Sequence, residues 1–145
     1  MPVTTPTTPA PHKNKTFATL LAALLGGIGA HRFYLRGSVD KLGLMHLASL
    51  PIAGLVYGLL PEVDWFFKIL PVAVSCVVAF VEALVIGVMS DEKFDAAFNP
   101  RSQRRSQSRW MLALLLVVTM IVGATGSIFV LSRLVALLAT SGADG

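Results

Sequence analysis

Four long apolar runs, Thr16 to Leu35, Leu42 to Leu60, Ile69 to Met89 and Trp110 to Ser132, occupy more than half of this 145-residue chain. A helix rises about 1.5 Å per residue, so about 20 apolar residues cover the ~30 Å hydrocarbon core of a bilayer. Backbone amides in lipid must be satisfied within their own segment, so helices are the element these runs predict. Composition agrees: 54% of the residues are hydrophobic and 14% charged, with mean hydropathy +0.72. An ordinary soluble domain carries about a quarter charged residues. The expected fold is all-α, a polytopic helical membrane protein with hydrophobic segments 16–35, 42–60, 69–89 and 110–132.

The net charge of +4 and pI near 9.6 do not point to nucleic acid. The basic residues flank apolar runs instead of interleaving with aromatics on a soluble face, which is how topology determinants are placed. The single cysteine, Cys76, excludes an intrachain disulfide and a cysteine metal cluster, and its apolar neighbours predict a packed helix position. No zinc-protease motif, nucleophile elbow or Walker loop occurs, so the chain is not expected to be an enzyme or to hold a cofactor or metal. His12 to Lys15 followed by Phe17 to Leu25 imitates the start of a signal peptide. Ile28, however, stands where cleavage after Ala30 would want a small residue, so the segment is read as retained.

Residues 1–15 form a Pro/Thr-rich stretch with too little apolar surface to order itself, hence an expected disordered tail. Ala18, Ala22, Gly26 and Ala30 lie four apart on one helical stripe, and Ser75, Ala79, Ala83 and Gly87 repeat the device in the third segment. Small residues let helices approach closely in lipid, so the two stripes are natural partners within a chain or between chains. A homo-oligomer or another membrane protein is the partner class they suggest, beside the bilayer itself. Pro51 predicts a kink in the second segment, and residues 62–68 a hairpin tip at the headgroup level. Ser90 is a candidate N-cap for a short amphipathic helix whose Phe94 and Phe98 would dip into the interface. A basic connector, 100–109, follows; its Arg101, Arg104, Arg105 and Arg109 suit anionic lipid headgroups. An additional helix, 110–138, completes the chain.

Two topologies compete. Four full spans place Arg32, Arg36, Lys41, Lys93, Arg101, Arg104, Arg105 and Arg109 on one side and Lys13, Lys15, Lys68 and Arg133 on the other. That puts both termini outside under the positive-inside rule. The rival makes the first segment re-entrant, because Thr16 to Ala30 reaches only ~22 Å. Lys13 and Lys15 then join the basic side, ten residues against two. Four spans are preferred here because irregular backbone exposed to lipid is costly.

The run Lys13-Asn14-Lys15, then Leu20-Leu21-Ala22, then Gly26-Gly27-Ile28-Gly29-Ala30-His31-Arg32-Phe33-Tyr34-Leu35 resembles the opening of the TM-two domain, a module of two transmembrane helices joined by a short linker. The stretch Val81 to Asp95 resembles the end of bacterial members, so the resemblance covers about residues 13–99. It implies an integral membrane module without an established enzymatic activity, and a bacterial cytoplasmic (inner) membrane as its multi-pass location.

Glu82 is the most exceptional residue, because a carboxylate within an apolar helix needs a partner or a proton. It lies ~12 Å in from Ser90 along a helix. Arg32 is the preferred partner, His46 the next, and His31 completes a candidate intramembrane polar group. A buried pair that fixes helix register predicts a non-catalytic scaffold or interaction module. The alternative is a small ion- or proton-coupled channel or transporter subunit centred on Glu82, with histidines titrating near neutral pH.

Overall fold

A computed structural model describes residues 11–37 and 40–141, so most of the expected tail lies outside the described residues. Six α-helices are formed among the described residues: α1 (Lys15–Leu25), α2 (Ala30–Arg36), α3 (Lys41–Leu59), α4 (Trp65–Val88), α5 (Asp91–Phe98) and α6 (Trp110–Ser141). A 3-10 turn, Gly26–Ile28, joins α1 to α2. Side-chain caps fix four of the starts, with Asn14, Asp40, Asp64 and Ser90 accepting from backbone N–H groups two or three residues ahead. Three helices, α3, α4 and α6, are long and apolar enough to cross a membrane. The fold is thus an all-α polytopic membrane protein.

The first apolar segment does not cross. Gly29 adopts φ +78°, a conformation L side chains rarely take, and turns the chain back so that α2 climbs beside α1. At the mouth of this hairpin, Lys13 Nζ donates to the Leu35 carbonyl, Asn14 N donates to the Tyr34 hydroxyl at 2.8 Å, and the Phe17 and Tyr34 rings meet edge to face at 5.2 Å. At its apex, Ser75 Oγ donates to the Gly27 carbonyl at 2.7 Å. Ser75 lies ~21 Å along α4 from Met89, so the hairpin enters deeply and returns to the side it left. The preferred four-span arrangement is therefore overturned in favour of the re-entrant one. Irregular backbone is tolerated at this depth because its inner side is buried against protein: Gly26 and Gly29 are buried, and a Cβ on Gly29 would stand 2.7 Å from the Gly43 carbonyl oxygen of α3, while the Leu25 and Ile28 side chains face outward.

α4 is the central post, packed by the hairpin, α3 and α6. The two small-residue stripes meet within one chain: Ala18, Ala22, Gly26, Ala79 and Ala83 are buried, and a Cβ on Gly26 would stand 2.4 Å from Ala79 Cβ. Gly87 serves a different neighbour, with Leu116 of α6 where its Cβ would be, and Ala30 is only half-buried. The turn between α3 and α4 is shorter than the sequence suggests. Capping by Asp64 starts α4 at Trp65, so Pro71 falls inside that helix and Trp65 to Lys68 form its first turn. Arg133 of α6 reaches Asp64 at 3.3 Å, joining the far ends of α4 and α6.

On the opposite, basic side the chain is tied together. Phe94, expected at the lipid interface, is fully buried with Leu35 and Ile86, while Phe98 lies half-buried under the Arg36 guanidinium at 5.9 Å. Docking of α5 onto the end of the hairpin explains this: α5 is a lid on protein, not a float on lipid. Residues 12–15, assigned to the tail from sequence, are held fast. Asn99 accepts from Lys13 N at 2.8 Å and donates to its carbonyl at 3.0 Å, and His12 Nδ1 lies 3.0 Å from Ser102 Oγ. Lys15, nearly fully buried, pairs with Asp91 at 3.0 Å and also donates to the Met89 carbonyl.

Candidate functional site: the Glu82 cluster

The members of the polar cluster come from the hairpin and the two helices beside it. Gly29 starts α2, which places His31 and Arg32 in its first turn, facing α4. Glu82 lies two turns before the end of α4, and His46 is two turns into α3. Arg32 Nε donates to Glu82 Oε1 at 2.9 Å and Oε2 at 3.1 Å, and its Nη2 also bonds Oε1. His31 Nε2 lies 2.6 Å from Oε2, and His46 Nε2 lies 3.3 Å from the same oxygen. The other three side chains named from sequence, Arg32, His31 and His46, converge on the Glu82 carboxylate.

Asp40 was not singled out from sequence. It caps α3 through Gly43 N at 2.8 Å and faces Arg32 at 3.5 Å and Arg36 at 3.9 Å. The signal was there, an Asp immediately before a predicted helix start. Ser75 was read as packing alone, yet its hydroxyl links His46 to the hairpin apex, with His46 Nδ1 at 2.7 Å.

Counting protons fixes the direction of this chain. Ser75 has one hydroxyl proton, and the Gly27 carbonyl can only accept, so the proton goes there and His46 donates through Nδ1. The contact between His46 Nε2 and Glu82 Oε2 is then attractive only with a proton between them. His31 is held in the opposite sense. Its Nε2 bonds the carboxylate, and its Nδ1 is the one buried side-chain polar atom without a hydrogen-bond partner among the described residues. The Nε2–H tautomer suits that environment, since it leaves a lone pair unpaired instead of an N–H. Two apolar-walled cavities flank Glu82, one of about 170 Å³ beside Arg36 and Phe98 and one of about 250 Å³ between α3 and α4. No group of three or more His, Cys, Asp or Glu side chains is placed to hold a metal ion among the described residues.

The remaining site residues fall elsewhere. Arg101, Arg104, Arg105 and Arg109 lie in the connector beyond α5, where Ser106 and Ser108 tie the backbone to Asp95 and Asp91. The hydrogen bond from the Ser108 hydroxyl holds the Asp91 carboxyl below its usual range, helped by Ser108 N–H and Lys15 and opposed by partial burial. At Asp95 desolvation pulls upward, but bonds from the Ser106 hydroxyl, Asn99 amide and Ser106 N–H outweigh it and leave that carboxyl lowered.

Fold and cluster together define a helical membrane protein in which a re-entrant hairpin is clamped to a central helix by buried charge. Residues 11–66 match the family model of the TM2 domain. Over that stretch the resemblance read from the sequence is borne out, and the match takes in the hairpin, α3 and the first two residues of α4. His31, Arg32 and His46 lie inside it; Glu82, the end of α4, and all of α5 and α6 lie beyond it. No curated protein and no solved structure matches the chain.

Proposed function

We propose that this chain is a non-catalytic membrane scaffold or interaction module of a bacterial cytoplasmic membrane, with its basic side in the cytoplasm. The observation that carries this reading is the saturation of Glu82 within one chain. Arg32 engages both carboxylate oxygens, and His31 and His46 crowd Oε2. A carboxylate so occupied holds helices in register, the best-attested use of buried polar groups. The polar chain also stops at the Gly27 carbonyl. Toward the other side, α4 runs through Leu70, Pro71, Val72, Ala73 and Val74, and Thr119 and Ser127 of α6 bond carbonyls of their own helix. A transport path would show more polar side chains at that depth.

The approach of His46 Nε2 to within 3.3 Å of Glu82 Oε2 favours a second reading, a proton-coupled subunit centred on Glu82. One experiment separates the two. The full chain in liposomes is assayed for proton and cation flux as wild type, Glu82→Gln and Arg32→Gln, with stability measured in parallel. The scaffold reading expects no flux above empty liposomes and a loss of about 3 kcal/mol for each single variant, since removing one partner strands the other. The double variant should lose less than the two combined. Flux that disappears in Glu82→Gln would overturn it.

A further inference from the structure

The structure holds a further cavity of distinct chemistry, on the basic side and away from Glu82. It lies between the start of α1 and the connector, with a volume of about 520 Å³, and His12, Lys15, Thr16, Arg105, Arg109 and Met111 are among the residues that line it. No carboxylate is among its lining residues. Lys15 is already paired with Asp91, so its charge is partly spent, and His12 Nδ1 is engaged by the Ser102 hydroxyl. The guanidiniums of Arg105 and Arg109 have no hydrogen-bond or ion-pair partner among the described residues, and both residues are exposed. Two free guanidiniums beside an α-helix start form a receptor for an oxyanion, because both supply N–H donors and positive potential.

The level of the cavity identifies what carries the oxyanion. Trp110 and Met111 begin α6 at this point and are largely exposed, as expected where a spanning helix meets the headgroups. Phe17 of α1, also exposed, lies on the same side. A ligand here has an anionic head among the arginines and apolar chains along α1 and α6. We infer that this cavity binds the phosphate of an anionic lipid headgroup, with Arg105 and Arg109 as its principal contacts. Arg105 and Arg109 each also line a neighbouring cavity that holds Asp91 and Glu92, but Arg101 and Arg104 do not line this carboxylate-free one, so the four connector arginines are not equivalent.

Trp110 supplies the reporter, adjacent to Arg109, and Trp65→Phe removes the chain's other tryptophan. The full Trp65→Phe chain is reconstituted in phosphatidylcholine vesicles, with rising fractions of brominated phosphatidylglycerol or brominated phosphatidylcholine as quencher. Phosphatidylglycerol should quench Trp110 at the lower mole fraction. At roughly 1 kcal/mol per basic side chain, Arg105→Gln with Arg109→Gln should weaken this preference about thirtyfold. The pair Arg101→Gln with Arg104→Gln removes the same charge and should leave most of the preference. Both pairs are exposed, and circular dichroism checks that the variants fold. Equal quenching by the two lipids overturns the proposal, as does equal loss in the two double variants, which would mark diffuse surface charge. Displacement by millimolar glycerol 3-phosphate would replace the lipid headgroup by a soluble phosphate ester.

Discussion

Gly26→Ala tests the close approach on which the hairpin depends. The added Cβ would stand 2.4 Å from Ala79 Cβ, whereas the next nearest atom, Ala79 Cα, is at 3.5 Å. Carbon atoms pack at about 3.5–4.0 Å, so the turn and α4 must separate by roughly 1.2 Å. Such a shift also strains the bond from Ser75 to the Gly27 carbonyl, now 2.7 Å, toward the limit of a hydrogen bond. Overpacking of this kind costs about 1–3 kcal/mol, and loosening one bond to a buried carbonyl adds about 1 kcal/mol. The expected loss is therefore about 2–4 kcal/mol, read from unfolding of the full chain in mixed micelles as the denaturing detergent fraction rises. Gly54→Ala in α3 is the control, since nothing lies within 4 Å of its built Cβ; there the change should be neutral or stabilising by up to about 1 kcal/mol. Adding Ala79→Gly to Gly26→Ala removes the clashing methyl and should restore most of the loss. If Gly26→Ala behaves like Gly54→Ala, or Ala79→Gly gives no rescue, this contact does not hold the hairpin.

Three further outcomes follow from the fold and its charges, besides the lipid preference of the connector cavity. In a Cys76→Ala background, Thr5→Cys and Glu62→Cys should react with an impermeant maleimide from opposite sides of the membrane, Glu62→Cys in intact cells and Thr5→Cys only after lysis. Labelling of both in intact cells would restore the four-span topology. The Glu82→Gln and Arg32→Gln variants should be silent in flux and coupled in stability, as set out above. Asp91 has its carboxyl lowered by Ser108 and Lys15, so its contribution is complete above the ordinary carboxylate range and is lost as pH falls through the folded value. The stability gap between wild type and Asp91→Asn should therefore narrow between pH 6 and pH 3, and a constant gap would refute the assignment.

Much of the architecture is written locally. Apolar length and the scarcity of charge give the solvent, the helices and three of the spans, because each is a property of about 20 consecutive residues. The cap residues Asn14, Asp40 and Ser90 sit where helices begin, and the Gly-rich run into His31 and Arg32 was enough to indicate the TM2 family. Glu82 announced the need for a partner by its cost in an apolar helix, and long side chains near one membrane face narrowed the choice.

What the sequence could not give were the features decided between distant residues. The same apolar run serves as a span or a hairpin, and the choice turns on Gly29 at φ +78° packed against Gly43. Length alone left that open, because irregular backbone is costly only where lipid touches it, and α3 and α4 exclude lipid there. Phe94 looked like an interfacial anchor until α5 was seen to cover the hairpin, and Lys13 like part of a tail until Asn99 was seen to hold it. The four arginines of the connector are alike in sequence, yet only Arg105 and Arg109 line the cavity that holds no carboxylate. Composition determined that this chain folds in a membrane, while tertiary contact decided which groups are hidden from lipid and so which path the backbone takes.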